Sequence, residues 1–592
     1  HFPALTMTLQ DFSLKGSSPF QRDTLLAANE VAFGINVFSL IKGNIEVDQF
    51  FITEGKINVQ VNEKGEANYN VYQPPSSSND TANSGGDTTA ALKIERIVIE
   101  KTNLRYNDLS SAILINAEGL DYTGRGDLSK AIFDLKSHLT IKRFDLYYDR
   151  YPYIMQKKID ADLLTSINTN SLALRFPKNT LHINRLPMDF KGSFDFVERG
   201  YDMNFQLSTT AADLEDVMTA LPPQYQGWLQ KTSIKGKADF KILLAGKYIA
   251  ASDTMPDFSL DMQVRKGAIA YEKAPVALSN LYLDMEYKLP ALDVEKQEVK
   301  LDSAFFNIGK DYFSTVIDLK GMSMPQIKAK ANSSLDLASF DQALGLADYD
   351  LKGKLTLNFA ANGQYARGQN PAKIRKDIVI TSIPSFTLNA ALENGYIHYT
   401  PLPKPVEKLA FNLRAACPDN DYRHTSIAID NIDAKMMNNF IKGFFKISNA
   451  DDFPIDAALS ASVNLPDIAQ FYPLDSMELN GKLLVDLKSN GQYIAAKKIF
   501  PRTEALLKLQ GASIRTKYYP APIENIQVDA TVANKQGTFR DLVVDVQPVS
   551  FEFEGKPFMI KADLRNLESI QYDIFSKGEV DLGRIYKVFA QQ

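Results

Sequence analysis

The sequence predicts a mainly β protein: an elongated, repeat-built antiparallel sheet, curled into a groove, with a few short connecting helices. Three observations predict it. Apolar residues recur at every second position through most of the chain, helical periodicity is confined to short stretches, and one long pattern of glycine, tyrosine and proline recurs three times in the same order. Successive side chains of a strand point to opposite faces, so period two means one oily face and one polar face.

The alternation is clearest in Leu355, Leu357 and Phe359, set between Thr356, Asn358 and Ala360, and in Leu483, Val485 and Leu487. Ile57, Val59 and Val61 follow the same rule, as do Phe240, Ile242 and Leu244, Phe411 with Leu413, and the odd positions from Leu459 to Leu465. Helical patterns are expected at residues 19–28, 214–229, 338–344 and 466–472, as connectors and not as a layer. Residues 74–89 open with Pro74-Pro75-Ser76-Ser77-Ser78 and hold no apolar residue larger than alanine, which predicts a linker or loop.

The repeat begins with Gly236-Lys237, Gly353-Lys354 and Gly481-Lys482, each opening an alternating strand. Ten positions on stand Gly246-Lys247-Tyr248, Gly363-Gln364-Tyr365 and Gly491-Gln492-Tyr493. Each copy continues with a glycine (Gly267, Gly395 or Gly511), an isoleucine (Ile269, Ile397 or Ile514) and a proline (Pro275, Pro403 or Pro520). A further alternating strand then follows, marked by Leu283, Phe411 or Val528. Upstream, Asp213-Leu214, Asp336-Leu337 and Asn464-Leu465 introduce the short helices, and Val580-Asp581-Leu582 starts a fourth copy. A turn or bulge accounts for each glycine taken singly; recurrence of the whole order does not reduce to turns. The predicted organisation is an N-terminal β segment over 1–73, a linker over 74–90 and a β region over 91–211. Repeats then cover 212–334, 335–462 and 463–579, and the start of a fourth covers 580–592.

A chain of 592 residues exceeds one ordinary domain, and 45% hydrophobic with 23% charged residues is the balance of a folded protein. A net charge of -5 offers no basic stripe, so nucleic acid is not an expected partner. Cys417 is the only cysteine, which excludes an intrachain disulfide. No apolar run of about 18 residues is present to span a membrane. The chain starts at His1 and is read as a piece from which an N-terminal targeting or anchoring segment has been cut. Five histidines fall in no catalytic or metal-binding motif, and the Gly-Lys pairs are followed by Ala, Leu and Leu instead of the hydroxyl a phosphate loop needs. The expectation is no enzyme, no cofactor and no metal. Tyr147-Tyr148-Asp149-Arg150-Tyr151-Pro152-Tyr153 fits either cross-strand packing or a stacking platform for a sugar, and Trp228 reads as a helix-to-core anchor.

The N-terminal stretch from Pro3 to Leu14 (PALTMTLQDFSL), Ser18-Pro19-Phe20, Leu25 to Ala28, Val31 to Phe33 and Ile35 to Gly43 resembles the start of AsmA-family proteins. So does Ile57 to Tyr69, with its Gly65-Glu66-Ala67-Asn68-Tyr69 ending, and the later Asp-Leu, Gly-Lys and Gly-x-Tyr pattern resembles the family's downstream region. The resemblance implies an inner-membrane anchor before residue 1 and a periplasmic body in a Gram-negative envelope. It also implies kinship with TamB-like, bridge-like lipid transfer proteins, whose β groove carries phospholipids between inner and outer membranes.

Sequence and resemblance together give the expectation of a non-enzymatic hydrophobic conduit for acyl-chain lipids. Its lining is expected at Phe240, Ile242, Leu244, Leu355, Leu357, Phe359, Leu483, Val485 and Leu487, with a closed sandwich core as the alternative for each. Two further readings stand beside it: a scaffold that binds envelope proteins through strand edges during outer-membrane biogenesis, and a carbohydrate-binding β protein using Tyr147 to Tyr153.

Overall fold

The computed structural model describes residues 4–37, 39, 46–71, 91–221, 223, 226–272, 274, 276–369, 378–402, 404–449, 453–467, 477–494, 497–579 and 581–589. Strands account for 73% of the chain and helices for 7%, as the period-two pattern predicts. The predicted linker at 74–90 lies outside the described residues, as do Pro275, Pro403 and Val580. The chain divides into two units, one of His1–Ala268 with Leu283–Gln297 and one of Ile269–Tyr282 with Glu298–Gln592.

The first unit starts with β1 (Ala4–Lys15), β2 (Thr24–Asn36), β3 (Glu46–Val61), β4 (Ala91–Asp108), β5 (Ile113–Arg125) and β6 (Ile132–Tyr148). It continues with β7 (Tyr151–Asn168), β8 (Ala173–Ile183), β9 (Leu186–Val197), β10 (Gly200–Asp213) and β11 (Thr232–Tyr248). Each strand pairs with the next in sequence, antiparallel throughout except for the parallel pair β3–β4. β12 (Asp257–Tyr271) and β13 (Leu278–Leu289) each contribute residues to both units.

The second unit contains β14 (Glu298–Ile308), β15 (Asp311–Lys320), β16 (Gln326–Asp336) and β17 (Tyr349–Gln364). A separate two-stranded ribbon, β18 (Ala366–Gln369) with β19 (Ile378–Ser382), comes next in sequence. Pairing resumes from β17 to β20 (Ser385–Tyr399), then β21 (Val406–Cys417), β22 (Ser426–Met436), β23 (Asn439–Ile447) and β24 (Pro454–Asn464). It ends with β25 (Met477–Gln492), β26 (Arg502–Thr516), β27 (Tyr519–Asn534), β28 (Val543–Phe553), β29 (Lys556–Arg565) and β30 (Gln571–Gly578), all antiparallel.

The repeated glycines have a common geometric cause. A Cβ on Gly236 would lie 2.7 Å from the Cα of Gly267, and one on Gly353 would lie 2.7 Å from the Cα of Gly395. The two glycines of the first two copies therefore face one another where neighbouring backbones approach closely. In the third copy Gly481 meets Ala512 at 2.5 Å, and Gly511 stands beside the contact with nothing near it. The φ values of Gly236, Gly353 and Gly481 are 125°, 114° and 114°, a region L side chains rarely adopt.

Bulges interrupt the strands of the first unit, and at two of them a carboxylate on the neighbouring strand accepts from the displaced amide. Lys101, at φ 47°, interrupts the β4–β5 register, and its N–H donates to Asp121 Oδ1 at 2.7 Å. Gln156, at φ 53°, does the same between β6 and β7 with Asp145 Oδ1 at 2.7 Å. Bulges increase twist and curvature, so a sheet interrupted this often does not lie flat.

Short α-helices include α1 (Leu214–Met218), α2 (Gln226–Leu229), α3 (Leu337–Leu344) and α4 (Leu582–Phe589). α3 matches its prediction because both ends are marked: Asp336 accepts from the Ser339 N–H at 2.8 Å, and Gly345 closes the helix at φ 61°. The pattern at 214–229 splits into two helices, α1 and α2. The helix expected at 19–28 is absent, since residues 18–22 form turns and β2 begins at Thr24. There Leu25, Ala28 and Val31 are buried through strand pairing with β1 and β3, which overrides the weak helical spacing. Of the pattern at 466–472, residues up to 467 are helical and the rest lie outside the described residues.

Candidate functional site

Directly opposed residues in an antiparallel sheet share a face, so the register alone traces the apolar side of each unit. In the second unit one row runs Phe306, Phe313, Ser333, Leu357, Ala390, Leu413, Ile429, Phe445 and Ala457 across nine strands, with a single polar member. A second row runs Ile441, Ala461, Val485, Leu507, Ala530, Val546, Ala562 and Ile574 from β23 to β30. Ala457 and Ala461 are four residues apart on β24, which places both rows on the same side. Leu355, Leu357, Phe359, Leu483, Val485 and Leu487 thus share one face, and all six are half-buried. The opposite face carries exposed Thr356, Asn358, Lys482, Asp486 and Lys488.

The second row is open to solvent at three of its eight positions and half-buried at the other five. Ile441, Leu507 and Ile574 are 46%, 40% and 57% exposed. At about 4.8 Å between strands, this apolar row spans about 34 Å.

In the first unit Leu244, Ile242 and Phe240 stand opposite Phe205, Leu207 and Thr209 of β10. All three are half-buried, in different surroundings. Phe240 packs on Leu186, Met188 and Ala212 together with Val217 and Ala220, so the α1 segment covers the face there. Beneath that segment Lys157 is 1% exposed, and its Nζ donates to the carbonyl of Thr219 at 3.1 Å and to that of Leu221. Burial holds the Lys157 ammonium below its ordinary pKa. Leu244 instead lies beside a ladder of rings. Phe205 is 6.0 Å from Phe190 and 6.2 Å from Phe194, and Tyr201 is 5.1 Å from Phe194 and 6.2 Å from Tyr248.

Tyrosines distant in pairing order come near one another in the first unit. Burial, then Asp108 and its hydrogen bond, push the Tyr106 phenol up, and the nearby Tyr69 and Tyr201 add to it. Tyr106 is on β4 and Tyr201 on β10, six strands apart in pairing order, yet their phenols are close enough to influence each other. The ladder escaped the sequence reading, although Phe190, Phe194 and Phe196 alternate with Asp189, Ser193 and Asp195.

Tyr147 to Tyr153 form the β6–β7 hairpin, where Tyr148 stands opposite Tyr151 and lies 6.2 Å edge-on to Tyr153. Tyr151 and Tyr153 are 70% and 65% exposed. Trp228 is half-buried in α2, and its carbonyl accepts from the Thr232 hydroxyl at 2.7 Å. His138 pairs with Asp162 at 2.9 Å and His424 with Asp419 at 2.6 Å, both at the surface. Among the described residues no cluster of His, Cys, Asp and Glu is arranged to hold a metal, and no helix is long and apolar enough to cross a membrane. No family model, no curated protein and no solved structure matches this chain.

Proposed function

We propose that the chain is a non-enzymatic lipid conduit of the AsmA type, periplasmic and anchored in the inner membrane, whose apolar β face accepts the acyl chains of phospholipids moving between inner and outer membranes. The observation that carries this reading is the row from Ile441 to Ile574, apolar at every position and open to solvent at three of them. Alkyl chains are the matching ligand, because a dozen methylenes leaving water contribute about 10 kcal/mol at about 0.8 kcal/mol each, with no directional bond required. The head group stays in solvent, and a row without a deep pocket lets the chain slide. The family resemblance of the N-terminal seventy residues supports the same reading.

The test is lipid occupancy. Purified protein analysed by native mass spectrometry is expected to carry phospholipid, and Leu357→Glu is expected to reduce the bound fraction several-fold while leaving the fold intact. Thr356→Glu, on the opposite face, is expected to leave binding unchanged. Protein that is lipid-free, or that unfolds outright on Leu357→Glu, speaks for sealed cores and against the conduit. A scaffold role is favoured by one feature, the edge strand β30, where Tyr572 and Ile574 are exposed beside backbone that pairs on one side only, with β29.

A further inference from the structure

The polar face of the second unit carries a feature that lipid binding does not use. Asn332, Asn358 and Asn389 stand directly opposite one another on β16, β17 and β20, and Arg414 continues the row on β21. The Asn358 amide donates to Asn332 Oδ1 at 2.8 Å. Asparagine is a poor strand former, so three abreast in the middle of a sheet cost strand propensity without adding packing.

The row lies in a hollow of about 770 Å³, and Asn389 and Arg414 are shared with an adjoining hollow of about 300 Å³. Twist explains how a polar face becomes concave: a strongly twisted sheet is saddle-shaped, so each side is hollow along one diagonal. The charges are engaged with one another, since Asp430 takes Arg414 at 2.7 Å and Lys446 at 3.0 Å. What remains is neutral: amides that donate and accept together, and Tyr312, whose ring is 38% exposed at one flank.

We propose that this hollow is a saccharide site, taking a short, neutral, extended oligosaccharide whose hydroxyls exchange hydrogen bonds with the amides of Asn332, Asn358 and Asn389 while one sugar ring lies against Tyr312. Hydroxyl groups are donors and acceptors at once, which is the pairing an amide row satisfies and a lone charge does not. Spacing selects the linkage: the amides repeat with the strands, at about 4.8 Å, close to the advance of one sugar residue in a straight β-1,4-linked chain. A curved α-1,4-linked chain falls out of step. An apolar or aromatic face is the usual partner of sugar C–H groups, the part assigned to Tyr312.

Isothermal titration of the full chain with cellotetraose and with the β-1,4-linked tetramer of N-acetylglucosamine tests the site, with maltotetraose as the α-linked comparison. Saturable binding of at least one β-linked tetramer is expected, at least tenfold tighter than maltotetraose. Asn358→Ala and Asn389→Ala are each expected to weaken it at least tenfold. Asn480→Ala, on β25 outside the hollow, is expected to leave it unchanged, and unfolding midpoints of all variants are measured to exclude loss of fold. No saturable heat with either β-linked tetramer at millimolar concentration overturns the proposal, as does equal binding of maltotetraose or binding indifferent to both asparagine variants. The outcome is independent of lipid occupancy, which concerns the other face.

Discussion

Between β8 and β11 of the first unit the apolar face carries rings that touch one another; along the single row from Ile441 to Ile574 of the second it carries alanines and short aliphatic side chains, with the rings Phe445, Phe551 and Phe558 set to one side of that row. Phe176 and Phe190 are 5.2 Å apart, and Phe190, Phe194 and Phe205 continue the stack. Along the row of Val485, by contrast, Ala461, Ala530 and Ala562 alternate with larger residues, and Leu507 and Ile574 stand exposed. The same period-two code therefore serves two ends. On the first side large rings cover one another across neighbouring strands, whereas on the second the small residues of the row leave room beside Leu507 and Ile574.

The largest expected effect breaks the small-residue side. A Cβ on Gly443 would lie 1.9 Å from the carbonyl oxygen of Ala458, and its φ is 146°, so Gly443→Val is expected to cost about 4 kcal/mol or more and leave little folded protein in urea titration. Gly511→Ala is the matched comparison, because nothing lies within 4 Å and only its φ of 54° is unfavourable; about 1 kcal/mol is expected. Next comes the ring side: Phe205→Ala is expected to cost about 3 kcal/mol, as removal of a packed ring does. If it costs less than about 1 kcal/mol, the ladder is not a core and the contrast between the units fails.

The reverse substitution sharpens the comparison. Ala390→Phe adds a ring to the row of Leu357, and an open face is expected to absorb it for less than about 1 kcal/mol while bound lipid falls; in a sealed core the same change costs about 1–3 kcal/mol. The smallest effect is a pH dependence in the first unit. Because the folded-state pKa of Lys157 is lowered, the unfolded chain binds more protons below the ordinary lysine value of about 10.4, and stability rises as pH approaches that value from below. Lys157→Met removes this contribution, so the stability of the native chain relative to the variant is expected to improve between pH 8 and pH 10. A difference constant over that range would show that Lys157 is not held below its ordinary pKa.

Much of the fold is legible in the sequence because it rests on local rules. Leu355, Leu357 and Phe359 state their strand and their shared face in three letters, and Gly236, Gly353 and Gly481 mark close backbone approaches that only glycine admits. α3 is legible because Asp336 and Gly345 mark its ends. The bulges are not: Lys101 and Gln156 are ordinary residues, and the carboxylates that hold their amides stand 20 and 11 residues away on another strand. The amide row of Asn332, Asn358 and Asn389 is likewise assembled by register across three strands and has no signature along the chain. The candidate face could be assigned from alternation, but its openness could not, since exposure at Leu507 and Ile574 depends on what no other element covers.

Nearly every strand finds its partner in the segment just before or after it, which bears on how the molecule is made. Hairpins of this kind close as soon as their second strand leaves the ribosome, so assembly proceeds like a zip from the N-terminal end and few residues wait for a distant mate. Two joins depart from simple hairpins and are the steps expected to lag: the parallel join of β3 to β4, where Glu46 lies beside Ala91, and the pairing of β17 with β20 across the β18–β19 ribbon.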